Sequence, residues 1–410
     1  MIESHPVLTF FGFIIIVGFF AVYLFRKTKV PDVLVLLVLG LVISYLGLVD
    51  VGMFEETSSL LSDLAIIIIL FEAGLNMNIY TVIKDSPRSF LLTVLNLLFS
   101  MISVSAITYA FLGMNPILGM LLGAIVGGIS SPIVISMVHG TGVGRDVRTV
   151  LDLESVWSDV LCIVVAITLV QLVTMETTAT FSEISNALLG TFSIGIVIGL
   201  VSGVAWLSVS KRLRGNPFEY ILTLGVLFLL YVFVENANGS GAISVLMFGL
   251  VLGNAKFFFK TLMIKEEGGV NRRIRTLHRE ISFFIKTFFF VYLGLIFRME
   301  NPEYLIVSVL ISSVLLATRF AAVRISTFRM GITRFERRIM EVMVPRGLAA
   351  AVLAQIPLLS GIEEARIFSD IVFVVILATI MVSGIGVAVI SKRYSNRRAE
   401  GVPHAKENSA

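Results

Sequence analysis

The chain has 410 residues, 57% hydrophobic and 15% charged, with a formal net charge of +4 and a mean hydropathy of +0.95. Ordinary soluble domains carry about 25% charged residues, so a soluble globular protein is excluded and a polytopic α-helical membrane protein is expected. The pI near 9.2 does not point to nucleic acid, because the basic residues fall in short loops, and the single cysteine, Cys162, excludes an intrachain disulfide.

The first apolar run covers 7–25. No basic residue precedes it (Glu3 and His5 do) and no small-residue cleavage site follows, so it reads as a retained span and not a signal peptide. Further runs fall at about 31–49, 58–78, 89–113, 116–139, 149–174, 184–208, 217–235, 239–254, 280–297, 302–323, 338–359 and 367–391. They predict an all-α protein with thirteen transmembrane spans, the ninth short enough to be re-entrant.

Loop charge orients these spans. With the N-terminus outside, the inner loops hold Arg26, Lys27, Lys29, Lys84, Arg88, Arg145, Arg148, Lys211, Arg212 and Arg214. They also hold the basic residues of the 255–279 loop, Arg324, Arg329, Arg334, Arg337, Arg338 and those of the tail, 392–410. Only Arg298 and Arg366 fall outside, among Asp50, Glu55, Glu56, Glu176, Glu183 and Glu235. An excess of Lys and Arg on the cytoplasmic side predicts a cell-membrane protein, N-terminus out and C-terminus cytoplasmic. The 255–279 loop, with Phe257 to Phe259 and Ile264, reads as an interfacial connector, and the tail is too short for a folded nucleotide-binding domain.

Two spans are interrupted. The fifth reads Gly127-Gly128-Ile129-Ser130-Ser131-Pro132, and the twelfth contains Pro345-Arg346-Gly347 with Pro357 beyond it. Proline removes a backbone donor and glycine loosens the chain, so peptide groups come free at bilayer depth. The two lie seven spans apart. An odd offset inverts one half relative to the other, which predicts two inverted six-helix repeats with span 7 between them, and paired broken spans point to a transporter binding site.

Ionisable residues inside the sixth span carry the chemistry. Asp159 lies ten residues into the run 149–174, roughly 15 Å at helical rise and close to the midplane of a ~30 Å core. A carboxylate at that depth costs several kcal/mol and marks a functional position or a partner. Flanked by hydroxyls, it suits a proton or a small cation. Ser155 and Asp159 are i,i+4 neighbours, as are Glu154 and Ser158, and Ser130 and Ser131 of the broken fifth span are placed to close the site. Serines in membrane helices also serve as packing and interhelical hydrogen-bonding residues. Lys286, Arg319 and Arg346 are the basic residues left within spans. Lys286 either snorkels or carries an additional proton. Arg346 faces helix ends or Glu341, Glu72 is an accessory candidate lining the cytoplasmic funnel, and His139 is a pH sensor or a bystander. No His-Glu-x-x-His motif, Ser–Lys pair or paired-Asp constellation stands out. An enzyme is not expected, and neither is a cofactor.

The string Leu151-Asp152-Leu153-Glu154-Ser155-Val156-Trp157-Ser158-Asp159 resembles the leu-x-glu-ser-x-x-asn-asp motif of monovalent cation/proton antiporters, in the NhaP and sodium/proton exchanger branch. Val30 to Leu34 with Leu39-Gly40, Phe71-Glu72-Ala73-Gly74-Leu75, and Phe289 to Leu295 resemble the family's second, third and tenth spans. Arg319 and Pro345-Arg346-Gly347 fall where it has arginines in its eleventh and twelfth. The chain departs from the pattern in having Ser158 for asparagine, and Ser130-Ser131-Pro132 for Thr-Asp-Pro.

The resemblance implies a homodimer of thirteen-helix subunits, with a dimerisation domain from 1–80 and 217–297, a linking span at 184–208, and a moving core from 89–174 and 302–391. It also implies a structural ion pair between Glu154 and Arg319. That pairing leaves Asp159, with Ser155, as the site for one monovalent cation. The expected function is exchange of Na+ or K+ for H+ by alternating access, electroneutral at one for one. A cation channel or uniporter, or a membrane sensor without transport, are the rival classes, and neither nucleic acid nor any partner beyond the ions, the bilayer and a second copy is expected.

Overall fold

The computed structural model describes residues 12–20, 23, 31–47, 52–77, 79, 87–138, 141–174, 181–213, 216, 218–261, 272–298 and 301–399. Among these there is no strand. After the helical stretch 12–20 come α1 (Asp32–Tyr45), α2 (Gly52–Asn76), α3 (Pro87–Leu112), α4 (Pro116–Ile125), α5 (Ser131–Val138), α6 (Arg145–Thr174), α7 (Phe181–Leu213) and α8 (Glu219–Asn236). There follow α9 (Gly241–Gly253), α10 (Ala255–Thr261), α11 (Arg272–Ile296), α12 (Pro302–Ser326), α13 (Arg334–Val342), α14 (Leu348–Leu353), α15 (Ile356–Leu359) and, after a 3-10 turn, α16 (Phe368–Ala399). His139, Ile264 and Lys265 lie outside the described residues.

Six helices among the described residues are long and apolar enough to cross a membrane: those in 87–112, 145–174, 189–213, 219–236, 302–326 and 363–395. Shorter apolar helices occupy 32–45, 116–125, 241–253 and 348–359. Large apolar side chains point outward, as with Leu229 at 73% exposure, Val201 at 64% and Phe233 at 62%. Such a surface needs a hydrocarbon solvent. The chain is a multi-pass membrane protein.

Close helix packing positions the interior. At the α1–α11 crossing, a Cβ on Gly40 would lie 2.1 Å from the Val291 carbonyl oxygen, and one on Gly294 would lie 2.4 Å from that of Leu37. Only glycine permits that approach, the small-residue packing on which membrane helices rely. A separate apolar cluster draws on α3, α5, α6, α12, α13 and α16, with Leu92, Val134, Leu151, Val323, Met340 and Val387 among its members.

Both interruptions are present. Helix α4 starts with Pro116 in its first turn under an Asn115 cap, and ends at Ile125 before the two glycines. Helix α5 starts at Ser131, with Pro132 where a missing N–H costs nothing. The second interruption runs from Met343 to Gly347, between α13 and α14.

Helix α13 begins on a capping box in which Glu336 accepts from the Thr333 amide (2.9 Å) and hydroxyl (2.8 Å), while Thr333 Oγ1 accepts from the Glu336 amide (3.2 Å). The other Glu336 oxygen accepts from the Gly144 amide, 2.9 Å away, just before α6. One carboxylate, outside the apolar run 338–359, thus ties α13 to the start of α6. Burial works against its ionisation, but the bonds from Thr333 and Gly144 prevail and hold its carboxyl below the ordinary 4.5. A depressed folded-state pKa stabilises fully above the unfolded value, and that stabilisation is lost as pH falls through the folded one. The melting temperature in detergent is therefore expected to drop more steeply below pH 4.5 for the native chain than for Glu336→Gln. Identical pH profiles for the two would remove the clamp from the stability account.

Candidate functional site

Helix α6 presents its polar residues through ordinary helical spacing. Leu151, Ser155, Ser158, Cys162 and Ala166 form its buried stripe together with Glu154, while Asp159, at the stripe's edge, is partly exposed. The two interruptions meet beside this helix. The Ser130 amide donates to the Pro345 carbonyl at 2.9 Å, and a Cβ at position 347 would stand 2.3 Å from Ser130 Oγ. Gly347 is therefore required for the crossing itself.

Unpaired peptide groups in a membrane interior cost several kcal/mol each, and side chains satisfy them here. The Gly127 carbonyl accepts from Asn96 Nδ2 at 2.9 Å and from Arg346 Nη1 at 3.1 Å, and the same Nη1 donates to the Gly128 carbonyl at 2.6 Å. Ser158 Oγ accepts from the Ile129 amide at 3.0 Å, and its one proton is shared between the Ile129 carbonyl oxygen at 3.1 Å and that of Ser155 at 3.0 Å. At the second interruption, Ser383 Oγ accepts from the Val344 amide (3.1 Å) and Thr379 Oγ1 from the Arg346 amide (3.3 Å). Arg346 therefore faces the carbonyl end of α4. Glu341 pairs with Arg324 at 3.6 Å instead.

Glu154 and Arg319 form a bidentate, fully buried ion pair. Nη1 donates to Oε1 and Nη2 to Oε2, the latter at 2.8 Å, while Arg319 Nε donates to the Met340 carbonyl at 3.0 Å. The guanidinium thereby links α6, α12 and α13, and the Glu154 carboxylate is neutralised.

Asp159 is held differently. Among the described residues its hydrogen bond is from Ser131 Oγ to Oδ2, at 3.3 Å. Ser130, at 7% exposure, lies at the crossing against Gly347. Ser155 donates to the Asp152 carbonyl at 2.8 Å, so its hydroxyl proton is used within its own helix. The arrangement offers, at Asp159, a carboxylate with no basic partner in hydrogen-bond contact among the described residues, next to a hydroxyl of an interrupted helix. That combination can hold a proton or an alkali cation, since alkali cations take hard oxygen donors.

The accessory candidates lie on the other helices. Glu72 of α2 lies within electrostatic reach of Asp159, while Ser282 of α11 bonds to His278 Nε2 at 3.3 Å. Lys286 donates to Asp32 Oδ2 at 2.8 Å, bridging α11 and α1. It is paired, not snorkelling alone. Sequence reasoning missed Asp32 as its partner, and also missed Asn96, Thr379 and Ser383 as supports of the breaks. The available signal was polar spacing inside apolar runs: Asn96 and Ser100, and Thr379 and Ser383, are each i,i+4 pairs.

A sequence profile described as "Sodium/hydrogen exchanger, transmembrane" matches residues 13–393. The chain is 27% identical over 282 residues to the probable Na(+)/H(+) antiporter 2 of Methanocaldococcus jannaschii, covering 66% of this chain and 64% of that one. It is 25% identical over 367 residues to the K(+)/H(+) antiporter NhaP2 of Shewanella baltica, covering 87% of this chain and 61% of that one. It thus spans less than two thirds of the length of these two curated relatives. In fold it resembles the sodium proton antiporter MjNhaP1 of Methanocaldococcus jannaschii at pH 8, with a TM-score of 0.78 and 21% identity over 97% of this chain and 98% of that one.

Proposed function

Because the chain belongs to the transmembrane sodium/hydrogen exchanger family, we propose that it is a secondary antiporter exchanging Na+ or K+ for H+ by alternating access. The observation that carries this reading is Asp159: a partly exposed carboxylate bonded to Ser131 at the meeting of two helix interruptions, while Glu154 is neutralised by Arg319. One carboxylate binds one proton or one cation, not both. A conformational change permitted only to the occupied carrier then yields exchange. Ser131 and Ser130 supply hydroxyl oxygens to the cation, Ser155 and Ser158 fix the helix around it, and Arg346 holds the end of α4.

The architecture proposed with it has thirteen spans in two inverted repeats, N-terminus outside and C-terminus cytoplasmic, in a homodimer. The core comprises 89–174 and 302–391. The apolar cluster shared by α3, α5, α6, α12, α13 and α16 supports that grouping, because those helices come from both stretches. The residues 1–80 and 217–297 form the dimerisation domain, and the tight α1–α11 crossing at Gly40 and Gly294 lies wholly within it. Lipid tails surround the whole.

The test is purified protein in liposomes with an internal pH dye, challenged in turn with sodium, lithium and potassium. Alkalinisation or acidification that follows a cation gradient supports exchange, and a current at clamped voltage in its place supports a channel. An internal pH indifferent to all three cations refutes the assignment.

Stoichiometry follows from counting free acids. The family motif's asparagine is Ser158, the acid of its fifth span is Ser131, and Glu154 is paired. Lys286 is occupied by Asp32. A single titrating group exchanges one proton for one cation, so the cycle moves no net charge. With sodium exchanged, and potassium found untransported, a valinomycin-imposed potential is expected to leave the rate unchanged. Acceleration or inhibition by that potential requires a second proton site, with Glu72 the first to substitute.

A further inference from the structure

We infer that Asn96 of α3 is a positioning residue that sets cation preference by keeping the Gly127 carbonyl out of the ion's coordination shell. The inference rests on the exchanger reading above. Asn96 is 3% exposed, and a buried amide on a bilayer helix calls for a reason. Its Nδ2 donates at 2.9 Å to Gly127 O, the first carbonyl beyond the α4 cap residue Val126. Arg346 Nη1 takes the second lone pair of that oxygen at 3.1 Å. A peptide oxygen has two lone pairs, so this one has none left for a metal ion.

The neighbouring carbonyls each have one donor at most. Gly128 O accepts from Arg346, Ile129 O from Ser158, and Ser130 O from the Val134 amide. Gly127 is thus the position at the interruption whose oxygen is doubly closed, and Asn96 makes the difference. Arg346 serves both glycines and spans the crossing. Asn96 serves Gly127 alone, so it can be removed without opening the crossing.

The consequence lies in selectivity. Alkali ions are distinguished by the number and field strength of the oxygens that replace their water. A shell of Asp159, hydroxyls and water discriminates weakly. Removing Asn96 returns a lone pair on a carbonyl to the interruption, where no helical ladder claims it. A small cation gains more from that added oxygen than a large one. Ser100 is the internal control: it sits one turn further along α3 and donates at 2.7 Å to Gly123 O, inside α4. A role confined to holding α3 against α4 would make the two residues equivalent.

The experiment compares apparent affinities for lithium, sodium and potassium in liposomes for the native protein, Asn96→Ala and Ser100→Ala. Asn96→Ala is expected to shift the sodium-over-potassium affinity ratio by about fivefold toward sodium, the scale of one modest hydrogen bond, with the maximal rate nearly retained. Ser100→Ala is expected to keep the native ratio. Should the alanine variant not accumulate, Asn96→Ser replaces it with the same expected shift, because its shorter hydroxyl cannot span to Gly127. An unchanged ratio in an active Asn96 variant, or an equal shift in Ser100→Ala, overturns this inference alone. Absence of exchange in the native protein overturns it together with the exchanger reading.

Discussion

Asp159→Asn is expected to abolish cation-dependent dissipation of a proton gradient in liposomes while leaving the protein folded. The substitution keeps the shape and the ability to accept the 3.3 Å hydrogen bond from Ser131, but removes the negative charge and the titratable oxygen. An amide carries no acidic proton to exchange for a cation. Because Asp159 is partly exposed and forms no ion pair among the described residues, nothing buried is left uncompensated by the change. Melting temperature and yield should stay near native, so loss of activity reads as loss of chemistry. Retained exchange would falsify the assignment of Asp159 as the shared site, and Glu72, within electrostatic reach, would be tested in its place.

Ser131→Ala separates two roles at the same spot. Removing a hydroxyl that contacts the carboxylate deletes one oxygen from the proposed shell but leaves the proton site intact. Apparent cation affinity is therefore expected to fall several-fold, at about 0.5–1.5 kcal/mol per hydrogen bond, with exchange still present at saturating cation. Equal affinities in variant and native protein would remove Ser131 from the shell.

Much of this site was legible in the sequence because its members are expensive where they stand. An aspartate ten residues into an apolar run, an arginine in another, and Gly-Gly and Pro-Arg-Gly interruptions contradict their surroundings, and each contradiction marks a position. What stayed hidden were partners that carry no side-chain signature. Arg346 bonds to the backbone of Gly127 and Gly128, and Ser158 spends its hydroxyl on the backbone of Ile129; a carbonyl or an amide looks the same at every residue. Asp32 was hidden for another reason. Following Pro31, it reads as a helix-start residue, and its bond to Lys286 spans 254 positions of sequence. Element lengths were blurred too. The run 31–49 narrows to the 14-residue α1, whereas the run 149–174 lies within the 30-residue α6, because composition marks where lipid is tolerated, not where the helical hydrogen bonds stop.

Breaking the Glu154–Arg319 pair from one side is expected to be the most destabilising single polar change in the protein. Both side chains are buried to within 1% exposure, and the guanidinium also donates to the Met340 carbonyl at 3.0 Å. Removing one member of such a pair leaves a charge stranded in a low dielectric, which costs about 3–5 kcal/mol, whereas replacing both members by neutral groups costs much less. Glu154→Gln should therefore lower the melting temperature and the yield sharply, while Glu154→Gln with Arg319→Met should recover most of both. The double variant also tests the chemistry. If the pair only holds α6, α12 and α13 in place, Asp159 remains the single titrating group, and exchange in the double variant stays electroneutral at a reduced rate. A double variant as unstable as the single one would mean that Arg319 acts chiefly through Met340. A stable double variant without exchange would make Glu154 a participant in proton or cation transfer.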